Sequence, residues 1–274
     1  MKKGFMILSL LMSLPVLGGI AHAGQFGSIE PTAKEGKFSL GLGYFYSQET
    51  MKPTDDTLTT RLFGVDITRP GTYSDATVTQ NQLYLQGTYA FVKDWEVYAR
   101  FGATDLKVEA ENDEEKGSAK PFGTLGVRGA FYKANGFSIG AFAQGSYTFA
   151  KYSDSGSYSY SVKGINYNIS ESGEIKNMWD VNFGITLQYN INKMFTVYAG
   201  PFVYWKRASF EYSYTVSIPV LGTDSSGDSG TYKEKNNFGG FLGFKVPVAD
   251  FLSIEVEGQM KDKVSAGASI SYRF

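Results

Sequence analysis

The sequence predicts an all-β fold: a membrane-spanning, antiparallel up-and-down barrel of ten strands, with eight or twelve as the alternatives. Three observations predict it. Large apolar residues alternate with small or polar ones at period two through ten separate stretches. Most stretches run about 10 to 14 residues, beyond the usual globular strand of roughly 5 to 6 and suited to a tilted membrane strand. The connections between them alternate between long and short.

The chain opens on a segment that reads as a secretory signal. Lys2 and Lys3 form a basic start, Phe5 to Ile20 is largely apolar, and Ala21-His22-Ala23 is a small-x-small cleavage pattern. Pro15 and Gly18-Gly19 break the run and argue against a retained anchor. Residues 1–23 are therefore expected to be removed, residues 24–36 to form a short periplasmic lead, and residues 37–274 to form the barrel. The chain has no cysteine, and His22 is its single histidine. A cleaved chain would hold neither, which excludes a disulfide framework, a zinc ribbon and a thiol catalyst. The net charge of -1 shows no basic excess, so no nucleic-acid partner is expected.

The strands follow in order. Phe38, Leu40, Leu42, Tyr44 and Tyr46 alternate with Ser39, Gly41, Gly43 and Phe45. Leu83, Leu85, Tyr89 and Phe91 oppose Tyr84, Gln86 and Thr88. Trp95, Val97, Ala99 and Phe101 oppose Glu96, Tyr98 and Arg100. Leu125, Val127 and Phe131 oppose Thr124 and Arg128, and the fifth stretch runs from Phe137 to Phe149. The sixth, Trp179 to Ile191, sets seven apolar residues against Asp180, Asn182, Gly184, Thr186, Gln188 and Asn190. The seventh, Phe195 to Trp205, contains Pro201, which cannot donate to a ladder and predicts a bulge or local break. The last three are Phe238 to Val246, Leu252 to Met260 and Val264 to Phe274.

A soluble sandwich or lipocalin-like barrel would turn the apolar face inward. Against that, the other face is rich in Gly, Ser and Thr, and aromatics gather near strand ends (Tyr44, Trp95, Trp179, Trp205, Tyr272), as interfacial girdles do. Long connections at 47–77, 107–119, 152–177 and 211–235 face short ones at 92–94, 132–136, 192–193 and 247–250. Long outer loops over tight periplasmic turns put both termini on the periplasmic side. Within the third long loop, Tyr158, Tyr160 and Val162 precede Lys163-Gly164, and Ile165, Tyr167 and Ile169 follow. This predicts a small hairpin of about six residues per arm, too short to span a membrane.

On the signal segment, the ten alternating strands and the terminal Ile270-Ser271-Tyr272-Arg273-Phe274, the chain resembles the small single-chain β-barrel proteins of the bacterial outer membrane. The resemblance implies outer-membrane lipids and the barrel-assembly machinery as partners, with Phe274 and Tyr272 as the assembly signal. It carries no activity, because one fold hosts many functions. Barrel hydrolases of this size use a histidine, which the cleaved chain lacks, so no catalysis is expected.

The inward faces collect Glu96, Arg100, Arg128, Asp180, Lys245, Glu255, Glu257, Lys261 and Arg273. They are read either as the lining of a narrow pore, where charges set selectivity, or as an internal ion-pair plug in which Glu255 and Glu257 meet Lys245 and Arg273. Inward aromatics (Tyr84, Tyr98, Phe142, Tyr198, Phe202, Tyr204, Phe241) would narrow the lumen. An acidic cluster (Glu109, Glu111, Asp113, Glu114, Glu115) and Asp224 with Asp228 lack the ordered spacing of a calcium loop and read as solvated loops. No cofactor or metal is expected. The function predicted is a narrow porin-like channel for small hydrophilic solutes. The alternative is a structural or adhesin-like barrel whose loops 47–77, 152–177 and 211–235 contact a partner.

Overall fold

In a computed structural model, residues 26–54, 57–62, 65–70, 74–110, 113–149, 151–162, 165–191, 194–218 and 222–274 are described. The expected signal segment lies outside them. Among the described residues fourteen strands occur: β1 (Phe38–Pro53), β2 (Thr57–Leu62), β3 (Val65–Pro70), β4 (Ala76–Val92), β5 (Trp95–Ala110), β6 (Asp113–Ala134), β7 (Phe137–Thr148), β8 (Tyr152–Val162), β9 (Ile165–Ile191), β10 (Phe195–Ile218), β11 (Gly222–Glu234), β12 (Phe238–Ala249), β13 (Leu252–Met260) and β14 (Val264–Arg273).

Ten of them close an antiparallel ring in the order β1-β4-β5-β6-β7-β9-β10-β12-β13-β14. These are the ten strands expected from the alternation. The seam is β1 on β14, in register from Ser39↔Arg273 to Tyr46↔Ala266. Closure leaves no edge, which a lipid solvent demands because it offers no hydrogen bonds.

The pleat sorts the side chains. Leu85 is 67% exposed on the outside, while its neighbour Tyr84 is 2% exposed on the inside. The same division runs around the ring. Phe101, Leu125, Phe183, Leu242 and Val256 face out, and Tyr98, Thr124, Asn182, Phe241 and Glu257 face in. A continuous outer belt of large apolar side chains around a polar interior is inverted for water, and its surrounding solvent is lipid. Ring pairs border the belt, such as Phe38 with Tyr89 at 4.6 Å and Phe251 with Tyr272 at 5.5 Å.

One end of the barrel carries tight turns. Asp94, Asn135 and Gly136 adopt positive φ there, and the Asn135-Gly136 pair meets the requirement of a two-residue hairpin turn. The start of β1 and the C-terminal residue meet at the same end, where Phe274 N–H donates to the Phe38 carbonyl at 3.4 Å. At the opposite end the long connections are folded. β8 pairs with β9 from Tyr152↔Ile175 to Val162↔Ile165, eleven residues per arm rather than six. The stretch containing Asp224 and Asp228 is a second hairpin, β10 with β11, and not a solvated loop. β11 also pairs with β1 at Met51 to Pro53, so the outer sheet is tied to the ring. β9, with 27 residues, spans roughly 90 Å at about 3.3 Å per residue, well beyond the hydrocarbon core.

At Pro201 the ladder to β9 lapses between Ala199↔Leu187 and Phe202↔Gly184 and resumes in the same register. The register shift comes six residues later, between Arg207 and Ser209. A local break is present at the proline, and the bulge lies elsewhere.

Candidate functional site: the plugged lumen

All seven aromatics expected to point inward do so. Several lie on a glycine directly across the ladder. Tyr198 is paired with Gly243, and a Cβ on that glycine would sit 2.2 Å from the ring. Large rings thus cross the lumen because small residues face them.

The lead is where the structure departs most from expectation. Residues 26–33 do not precede the barrel but run up inside it. Gly36 N–H donates to the Ala90 carbonyl at 2.7 Å, anchoring the segment at the turn end. From there Ala33, Thr32, Ile29, Ser28 and Phe26 are all buried. The Phe26 ring stacks on Phe142 at 4.1 Å and meets Phe202 and Phe241 edge-on at 4.7 and 5.3 Å. Gly27 has φ +79°, and a Cβ there would lie 1.8 Å from Arg128 Nη1. Only glycine suits that position.

The lumen charges grip this segment. Glu257 accepts from Phe26 N–H (3.2 Å) and Gly27 N–H (2.8 Å), and Glu255 accepts from Ser28 N–H. Glu96 accepts from Thr32 N–H at 2.6 Å. On the carbonyl side, Arg128 Nη1 donates to Phe26 O at 2.7 Å, Lys245 to Glu30 O at 3.2 Å and Arg273 Nε to Thr32 O at 2.5 Å. The expected meeting of Glu255 and Glu257 with Lys245 and Arg273 is therefore replaced. Carboxylates hold the segment's N–H groups and cations hold its carbonyls, with peptide between them. Glu96 and Arg128 do pair directly, at 2.7 Å and almost fully buried. Arg100 stays on the wall, donating to Gln86 at 2.7 Å beneath Tyr84 and Tyr98.

Asp180 belongs to a second group nearer the loop end. It accepts from Asn182 at 2.6 Å and lies opposite Lys206 in register. Lys206 bonds Glu49 and donates to Gln80 at 2.6 Å, and Lys261 lies 3.6 Å from Glu49. Glu49 and Lys206 are not among the charges expected from the sequence, because β1 and β10 extend beyond the stretches ending at Tyr46 and Trp205. The alternation past Tyr46 and Trp205 was the available signal. Above this group Met51, Val78, Leu106, Tyr152, Met178 and Ala208 pack into an apolar cluster across the mouth. Below the plug a polar vestibule of about 840 Å³ is lined by Lys34, Lys37, Lys245 and Arg273 among others. Tyr272 and Phe274, the expected assembly signal, are exposed on the outer wall with rings 5.1 Å apart.

No family model matches the sequence, and no curated protein matches it. Solved structures do. The outer-membrane protease OmpT from Escherichia coli is 12% identical, covering 87% of this chain and 97% of its own, with a TM-score of 0.41. The outer-membrane protein OprG from Pseudomonas aeruginosa is 12% identical over 89% and 100%, with a TM-score of 0.38. The toluene transporter TbuX from Ralstonia pickettii is 10% identical over 93% and 97%, at 0.39.

Proposed function

We propose that the chain is a bacterial outer-membrane barrel, with its tight turns and C-terminus periplasmic, that acts as a narrow non-catalytic channel for small hydrophilic solutes and is closed by its own N-terminal segment. The observation that carries this reading is how the segment is held. Within the lumen, side chains of the wall bond its main chain, and no strand ladder incorporates it. A segment held by replaceable hydrogen bonds can leave without opening the barrel. The vestibule beneath it, lined by Glu30 and Asp250 as well as the four cations, supplies a polar route to the turn end. The absence of histidine and cysteine after residue 23 supports the non-catalytic part.

Single-channel recording of the full chain tests it. Gly27→Val puts a Cβ into Arg128 and a β-branched residue at positive φ, so the plug cannot seat. The wild type is expected to be silent for most of the recording and Gly27→Val to conduct steadily. A heat-modifiable, folded Gly27→Val barrel that stays silent, both alone and with Tyr152→Ala to open the apolar cluster at the mouth, overturns the channel reading.

A surface-binding role has one observation in its favour. The β8–β9 and β10–β11 hairpins form sheet beyond the belt and present Tyr158 and Tyr212 to solvent. Tyrosine supplies adaptable contact area. The exposed Tyr272–Phe274 pair is the assembly signal in this reading. Deleting Phe274 should lower the yield of heat-modifiable barrel in membranes, and an unchanged yield removes that role.

A further inference from the structure

The way Phe26 is held describes a ligand. Its ring occupies a cage of Phe142, Phe202 and Phe241. The N–H on one side of its Cα points at a carboxylate, Glu257, and the carbonyl on the other side meets a guanidinium, Arg128. Glu257 is 1% and Arg128 2% exposed. The geometry points to a lumen site for aromatic α-amino acids, for which Phe26 is a tethered stand-in. This rests on the reading of the plug as displaceable and names the solute class it competes with.

The charge balance explains how a free solute competes. The plug offers Glu257 two neutral amide N–H groups and offers Arg128 a neutral carbonyl. An amino acid offers an ammonium and a carboxylate on one carbon, at the same two places. The plug's bonds are ionised on one side only, whereas the amino acid's are ionised on both and add the attraction of opposite charges in a buried site, and an ammonium has three donors to share between both Glu257 oxygens. The ring keeps the cage filled. On the same wall, Gln144 Nε2, Asn182 Oδ1 and Thr186 Oγ1 are buried without a protein partner. They lie on the ladder steps either side of Phe142↔Gly184 and give a polar solute further partners.

Calorimetric titration of the purified full chain in detergent tests the site without relying on conductance. The probes are L-phenylalanine, 3-phenylpropionate (no amine), phenethylamine (no carboxylate) and L-alanine (no ring). Gly27→Val is expected to bind phenylalanine at least about tenfold tighter than each of the other three, the size of one charge-assisted contact. The wild type, with its plug seated, should bind it at least about tenfold more weakly. Adding Glu257→Gln should erase the preference over 3-phenylpropionate and keep the preference over alanine. If Gly27→Val fails the heat-shift test of folding, Gly27→Ala serves, since its Cβ meets the same guanidinium. A folded variant that binds all four probes alike, or none, overturns the site even if it conducts. Selective binding by a barrel that does not conduct establishes the site and removes the channel reading alone.

Discussion

At the residue scale the decisive unit is Glu96 with Arg128. The two are 0% and 2% exposed, and together they touch Phe26 and Thr32 of the plug. Breaking a buried pair by removing one partner leaves an uncompensated charge and costs about 3–5 kcal/mol. Glu96→Ala should therefore lower the barrel's unfolding free energy, measured from urea midpoints, by an amount in that range. Glu96→Gln, which keeps an acceptor for Thr32 and Arg128, should lower it less. Equal midpoints for Glu96→Ala and the wild type would show that Arg128 finds full compensation elsewhere. That Glu96 and Arg128 face inward was legible from alternation alone. Their bond to the lead was not, because residues 26–33 carry no strand period. The only hints were Phe26 and Ile29, two apolar side chains in a polar lead, and a crowd of inward charges near one end with too few mutual partners.

At the scale of elements, the ring and the outer hairpins separate. The ladders that close the ring need β9 only from Trp179 to Tyr189 against β7 and from Trp179 to Ile191 against β10. The outer arm of β9 pairs with β8 and with β10 above the belt. Excising residues 155–172, with a short turn in their place, keeps Tyr152 and Ile175 in the apolar cluster at the mouth. The shortened chain should still insert and show the heat-dependent gel shift, and its loss would make the hairpin part of the folding unit. Sequence legibility divided along the same line. The ten spanning strands were readable because lipid on one side and lumen on the other enforce strict alternation over their length. The hairpins face solvent on both sides, where nothing enforces it. Their Ser-, Tyr- and Gly-rich arms therefore read as loops, and only the run from Tyr158 to Ile169 betrayed a strand.

At the scale of the whole molecule, stability depends on which solvent each face meets. Modest mean hydropathy, -0.20, is compatible with a membrane protein because only every second residue of each spanning strand meets lipid. Leu85 tests this division. It lies seven residues above the end of β4 at Val92, so a tilted strand carries it roughly 15 Å from the turn end, near the middle of the hydrophobic belt. An arginine there has no lumen to reach and no partner in the belt, where such a substitution costs about 2–4 kcal/mol. Leu85→Arg should lower the unfolding free energy in lipid by that amount. The same substitution at Phe251, exposed in the tight turn between β12 and β13, should cost about 0–1 kcal/mol, because interfacial positions tolerate charge. In a water-soluble barrel both sites would be ordinary surface, and arginine at either would be neutral or would improve solubility. The depth dependence, measured as the difference between the two variants, separates a barrel bathed in lipid from one bathed in water.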